Sequence, residues 1–123
     1  MVIEIDFNST RAIYAQLIDQ IILQIANGDI KEGDSLPSVR QLADLLGINM
    51  HTVNKAYSLL KKEGYISLDH RKGAMVSVNS NKEALLYEVR DSLSLIVAKG
   101  RCKNITKEDF IQIINELFEQ YKE

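Results

Sequence analysis

The residues with the most chemistry to offer lie between positions 49 and 62. His51, Thr52, Asn54 and Lys55 stand outside the apolar positions of this segment, near its start. Their side chains can form hydrogen bonds with the edges of bases, and a lysine can bind a phosphate. If this segment is the second helix of a helix-turn-helix motif, its N-terminal end is the part that enters the major groove of DNA. The alternative is an ordinary amphipathic helix with a solvated polar face.

Helical periodicity indicates that this segment is the second of two helices joined by a tight turn. Ser38 and Gln41, directly after Pro37, form a capping box that predicts the start of the first helix. Gly47 supplies the left-handed residue that ends it, and Asn49 caps the second helix. The turn is therefore about three residues long, as a helix-turn-helix motif requires.

A hairpin with a basic tip follows the second helix. Residues 65–68 and 74–78 alternate apolar and polar side chains around a loop that carries His70, Arg71 and Lys72. A helix-turn-helix followed by such a hairpin is the winged arrangement. The wing lies against the sugar-phosphate backbone or reaches into the minor groove.

These segments together resemble the DNA-binding domain of the GntR family of bacterial transcription regulators. The resemblance runs from Ile13 to Val78 and is carried by the pattern LPSVRQLADLLGIN..TV.KAY..L...GYI......KG..V. The short remainder resembles the YtrA subfamily. The resemblance implies DNA contacts from Arg40, His51, Thr52, Asn54, His70, Arg71, Lys72 and Gly73. The predicted DNA-binding set also includes Ser38, Asn49 and Lys55.

The charge of the chain is unevenly distributed. The net charge of −2 is unlike that of most nucleic-acid binders. However, residues 35–72 carry six cations against three carboxylates, whereas residues 1–34 carry six carboxylates against two cations. We therefore expect a basic segment on an acidic body, which would bind duplex DNA through a modest number of phosphates.

Further helices are predicted on either side of the motif. Residues 2–6 suggest a short strand, and Ser9 or Thr10 should cap a first helix that ends at Gly28. After a linker at 79–82, two capping boxes predict two more amphipathic helices, the first of which should end at Gly100. The boxes are formed by Ser80 with Glu83 and by Thr106 with Asp109.

The apolar faces of these last two helices need a partner. They could fold back on their own winged domain, but DNA sites of such proteins usually mirror a two-fold axis, which favours a homodimer. The YtrA-type resemblance implies the same, and the short segment leaves little room for a metabolite pocket, so any small-molecule effector stays unknown. The predicted dimer contacts are Leu86, Val89, Leu93, Ile96, Phe110, Ile114, Leu117 and Phe118.

Enzyme and metal chemistry are not indicated. His51 and His70 lie on the predicted DNA face, and no nucleophile-and-base spacing recurs. Cys102 is the only cysteine, so no intrachain disulfide forms, and no cofactor or metal is expected. No secretory signal and no apolar run of bilayer length occur, which predicts a cytoplasmic protein without a membrane partner.

The predicted fold is mostly α, of the α+β class. A winged helix-turn-helix DNA-binding domain would occupy residues 1–78, and a C-terminal helical hairpin for dimerisation would occupy 79–123. The predicted function is a sequence-specific transcription regulator, a repressor that binds an inverted repeat as a homodimer. The resemblance to the YtrA subfamily suggests control of an ABC transporter operon. The alternative function is a winged-helix module that binds another protein.

Overall fold

The computed structural model describes residues 1–121, which contain five helices and a two-stranded sheet. These residues divide into two compact units, with the boundary between Asn79 and Ser80. The predicted mostly helical α+β class with a winged helix-turn-helix is confirmed. The elements are α1 (Ile13–Asn27), α2 (Val39–Leu46), α3 (Met50–Lys62), β1 (Ile66–Asp69), β2 (Gly73–Val76), α4 (Lys82–Cys102) and α5 (Lys107–Glu119).

Helix α1 begins later than its sequence suggested. Its N-cap is Ala12, which has no side-chain hydrogen bond to the helix, so the predicted cap at Ser9 or Thr10 is wrong. The Ser9 hydroxyl instead accepts a hydrogen bond from the Arg11 amide at 3.0 Å, within the turn before the helix. The C-terminal end is as expected, because Gly28 adopts φ 80° there.

Residues 2–6 do not form the predicted strand. Their hydrogen-bond partners are the side-chain amides of Gln16, Gln20 and Gln24, which are spaced one helical turn apart along α1. Gln20 bonds both the amide and the carbonyl of Glu4, and its Oε1 lies 2.9 Å from the Glu4 nitrogen. The segment is therefore held as a strap, a name we keep for residues 2–6.

The helix-turn-helix forms where the caps predicted it. At the start of α2, the Gln41 amide donates to the Ser38 hydroxyl at 3.1 Å and the Ser38 amide donates to Gln41 Oε1 at 3.0 Å. Gly47 ends α2 with φ 68°, and Asn49 Oδ1 accepts from the His51 amide at 2.8 Å. Both predicted caps and the tight turn are confirmed.

The core of the first unit centres on α3. Tyr57 is only 1% exposed, and its hydroxyl donates to the Pro37 carbonyl at 2.7 Å, which ties the start of α2 to α3. Burial raises the pKa of this hydroxyl well above its usual value. The other fully buried large side chains are Leu17, Ile21, Leu42, Val53, Leu60 and Val76.

The wing is an antiparallel hairpin whose second strand is bonded on both edges. Its register pairs Ile66 with Val76, and the strands differ from the predicted ones only at their ends. The loop between α1 and α2 joins β2 on its other side, where the Leu36 amide donates to the Ala74 carbonyl at 2.8 Å. The segment before α2 is thus bonded to β2 at the base of the wing, whereas residues 70–72 at its tip are exposed.

The second unit consists of α4 and α5. Asn81 caps α4 by accepting from the Ala84 amide at 3.2 Å, so the predicted box at Ser80 and Glu83 is wrong. Gly100 does not end α4 but lies buried within it. The Phe110 ring packs against it so closely that a Cβ on residue 100 would lie only 2.5 Å from Phe110 Cζ. The predicted box at Thr106 and Asp109 is confirmed at the start of α5.

Candidate nucleic-acid interface

The first turns of α3 present polar side chains to the surface. His51, Asn54 and Lys55 are exposed and Thr52 is half-buried. Apolar residues on the opposite side hold the helix rigidly on the core, since Val53 and Ala56 are completely buried. The backbone of α3 is therefore fixed while its outer side chains remain free to bind.

The two helix caps in the predicted DNA-binding set already have a structural role. Ser38 Oγ and Asn49 Oδ1 each accept a backbone hydrogen bond within the chain. Asn49 retains its side-chain amide hydrogens for another acceptor. Arg40 is exposed in the first turn of α2, so a cation stands near the N-terminus of that helix.

The tip of the wing is ordered by an acidic side chain rather than neutralised by one. Asp69 Oδ1 accepts hydrogen bonds from the backbone amides of Arg71, at 2.7 Å, and Lys72, at 3.3 Å. Gly73 has φ 73°, a left-handed conformation that a larger residue would strain. His70, Arg71 and Lys72 are all exposed, so the turn displays its cationic side chains to the solvent.

Cations of this surface lack carboxylate partners. In residues 1–121 the one ion pair within 4.0 Å joins Arg11 to Asp19, whose oxygen lies 2.7 Å from Arg11 Nε. The hydrogen bond and the charge of Asp19 raise the pKa of Arg11. Arg40, Lys55 and the two wing cations have no such neighbour, so their charge remains available to an outside anion such as phosphate.

Lys55 does have an aromatic neighbour. Its Nζ lies 3.9 Å from the centroid of the Tyr14 ring, which belongs to α1. The Tyr14 ring is half-buried against the core cluster of the first unit, and the sequence alone did not predict its contact with Lys55. No spacing within one helix could have revealed it, because it depends on how α1 and α3 cross.

The second unit exposes the predicted dimer contacts. Seven of the eight residues are exposed, whereas Phe110 is half-buried by its packing on Gly100. An open groove of about 770 Å³ lies between α4 and α5. Its apolar lining includes Leu93, Val97, Ile105, Phe110, Ile111 and Ile114.

Over residues 1–121, no three His, Cys, Asp or Glu side chains converge in a way that could hold a metal ion. Nor does any helix in that range combine the length and hydrophobicity of a membrane span.

Comparison with protein families identifies the first unit. A family model described as "Bacterial regulatory proteins, gntR family" matches residues 13–76. The transcriptional repressor YtrA of Bacillus subtilis is 32% identical over 118 residues, which are 94% of this chain and 91% of that protein. The match includes the second unit and so extends beyond the winged domain.

Solved structures give the same result. YtrA from Sulfolobus acidocaldarius, described as a GntR-family transcription factor, is 40% identical with a TM-score of 0.61, over 96% of this chain and 97% of that one. The DNA-binding domain of AraR, solved in complex with its operator ORX1, is 25% identical with a TM-score of 0.54. That match covers 61% of this chain and 96% of the AraR domain.

Proposed function

Because the chain belongs to the gntR family of bacterial regulatory proteins, and is thus a DNA-binding transcription regulator rather than an enzyme, we propose that it is a repressor that binds an inverted repeat as a homodimer. The observation that carries this proposal is the combination of exposed polar side chains on α3 with cations on α2 and the wing that have no carboxylate partner within residues 1–121. Phosphate contacts would position such a surface, and base contacts would give it specificity.

The chemistry of each exposed side chain suits a particular contact with DNA. Asn54 can form a bidentate pair with adenine and Thr52 can reach either kind of base edge, with His51 assisting them. Arg40 and Lys55 would bind phosphates on either side of the groove. Ser38 and Asn49 would act mainly by holding the helix N-termini, whose free amides favour an anion.

The wing would supply a second, less specific contact. Within residues 1–121, Arg71 and Lys72 have no carboxylate within 4.0 Å, and the turn that holds them is fixed by Asp69 and Gly73. A fixed cationic tip loses little entropy on binding. We assign it to the sugar-phosphate backbone beside the groove that α3 enters.

The C-terminal helices would join two chains. Large apolar side chains such as Leu86 and Phe118 are more than half exposed, and burying them between two chains would be favourable. The groove between α4 and α5 includes Leu93, Phe110 and Ile114 from the predicted contact set. Two half-site interactions joined in this way would bind an inverted repeat far more tightly than one.

The regulated gene and the cellular location are part of the proposal. The repressor YtrA of Bacillus subtilis matches both units, which supports repression rather than activation. The YtrA-type resemblance suggests an ABC transporter operon as the target. A regulator of this kind acts on DNA in the cytoplasm.

Affinity for duplex DNA across a series of salt concentrations tests the proposal. We expect binding to the inverted repeat upstream of the gene, with an affinity that falls steeply as salt rises, because bound phosphates release counterions. A scrambled duplex of the same length should bind more weakly at every salt concentration. A protein-binding module would give no gel shift and a salt-insensitive interaction with another protein, and that result would overturn the proposal.

A further inference from the structure

Among the cations of α3, Lys55 is the one with an aromatic contact. Its ammonium group lies over the face of Tyr14, 3.9 Å from the centroid. Lys61 and Lys62, further along the helix, have no such contact in the part of the chain that the structure describes. Lys55 is also one helical turn after His51, so it stands on the face of α3 that carries the proposed base contacts.

A free lysine side chain is a poor fixed contact. It has four rotatable bonds, and immobilising it on a phosphate costs much of its rotamer freedom. An aromatic face attracts an ammonium group through the ring quadrupole and can restrict it before DNA arrives. The ring occupies only one side of the ammonium group, so N–H donors on the other side remain free for a phosphate oxygen.

The supporting position is rigid. Tyr14 lies in the first turn of α1 and packs against the core cluster, with its ring half-buried. Its neighbour Leu17 on the same helix is completely buried, which holds this part of α1 in place. The ring is therefore a fixed platform for a mobile side chain.

We propose that Tyr14 is a positioning residue of the DNA interface, whose ring pre-orders Lys55 for a backbone phosphate. The inference rests on the proposed function, because it needs α3 to bind DNA. It adds a residue on α1 that touches neither base nor phosphate in this role. The chemistry it uses is cation–π attraction, and its effect passes through Lys55 alone.

A double-mutant cycle on the full chain, with a duplex of mixed sequence as the probe, tests this inference. Tyr14→Phe keeps the ring and should bind like the wild type. Tyr14→Leu removes the ring and should lower affinity about two- to five-fold, the equivalent of an exposed cation–π contact. In a Lys55→Met background the same Tyr14→Leu change should have no further effect, because the partner cation is already absent.

The possible outcomes separate the inference from the proposed function. If the wild type fails to bind duplex DNA at all, the proposed function is wrong. If the wild type binds but Tyr14→Leu lowers affinity equally with and without Lys55, the ring has only a structural role and the inference is overturned. An unchanged affinity in Lys55→Met would overturn it as well.

A measurement on the wild type covers the case in which Tyr14→Leu fails to fold. The ring current of Tyr14 should shift the Lys55 ε-methylene protons upfield in NMR spectra, and contacts between the two side chains should persist in the DNA complex. Tyr14→Phe should retain the upfield shift. Loss of these contacts when DNA binds would mean that Lys55 leaves the ring, which contradicts pre-ordering.

Discussion

Two kinds of polar residue lie side by side in the first unit. Ser38, Asn49 and Asp69 accept hydrogen bonds from nearby backbone amides and so hold the local fold. His51 and Asn54 have exposed side chains on a rigid helix. Substitutions of the first kind should lower stability, whereas substitutions of the second kind should lower affinity.

Asn54 provides the test of base recognition at the scale of one residue. Asn54→Ala should weaken operator binding by roughly 1 to 3 kcal/mol and relax the preference at one position of each half-site, because a bidentate adenine contact is lost. Competition binding with single-base operator variants measures this. As a control, Arg40→Ala should weaken all sequences alike. Equal losses on operator and scrambled DNA in Asn54→Ala would contradict the assignment.

Tyr57 gives a prediction of pH dependence. Its pKa is raised in the folded state, so the folded chain holds the proton more tightly than the unfolded chain, whose tyrosine has a pKa of about 10. The stability from Tyr57 is therefore complete below that pH and is lost as the pH rises above it. Urea titrations at several pH values should show a steeper alkaline loss of unfolding free energy in the wild type than in Tyr57→Phe. Equal slopes would contradict it.

Among the elements, some helix starts were predictable from local caps, but the caps predicted at Ser9 or Thr10 and at Ser80 did not form, and features set by packing were not predictable. The boxes at Ser38 and Thr106 need only four neighbouring residues, and both formed as expected. A glycine often ends a helix, but the Phe110 ring packs against Gly100 and α4 continues past it. The cation–π contact of Lys55 was unpredictable for the same reason, since it depends on two helices that are distant in sequence.

The strap is stabilised by glutamine side chains, which makes its contribution measurable. Gln20→Ala removes two hydrogen bonds to the Glu4 backbone and should lower the free energy of unfolding by about 1 kcal/mol. It should also speed hydrogen exchange at the Glu4 amide. Gln112→Ala is the matched control, because Gln112 bonds only the exposed Glu116 side chain. Unchanged exchange at Glu4 would show that the strap does not depend on Gln20.

The wing gives a prediction at the scale of one hairpin. Replacing Arg71 and Lys72 together with Ala should lower affinity and flatten the dependence on salt by up to about two counterions. Stability should change little, because both side chains are exposed and the Asp69 turn uses only their backbone amides. Replacing Lys82 and Lys99 of α4 is the control. A salt slope that stays the same in the wing variant would place the wing away from DNA.

At the scale of the whole molecule, two units have different surfaces. The winged unit buries its apolar residues around α3, whereas α5 has no fully buried residue. The sequence already predicted this contrast, because its apolar stripes after residue 80 exceed what two helices can cover. It could not predict which side chains would line the groove, which follows from the turn at 103–106 and the close packing at Gly100.

Disrupting the proposed interface of the second unit should separate the two chains of the dimer without unfolding the first unit. Leu93→Glu would place a carboxylate in the proposed interface, where it would be desolvated without a partner. Because Leu93 is 36% exposed, the single chain should tolerate the change. Light scattering should then report a monomer, as it should for a chain that ends at Asn79. Leu23→Glu, at an exposed position of α1, is the control and should remain a dimer. If Leu93→Glu and the chain that ends at Asn79 also remain dimers, the proposed interface is wrong.

The most direct test of the central claim is the mass of the protein–DNA complex on the inverted repeat, measured by light scattering during a titration. We expect two chains per duplex for the wild type, with no stable one-chain complex, because each half-site alone binds weakly. Leu93→Glu should show little complex at the same concentration. A single chain that saturates the inverted repeat with the affinity of the wild type would contradict recognition of the operator by a two-fold dimer.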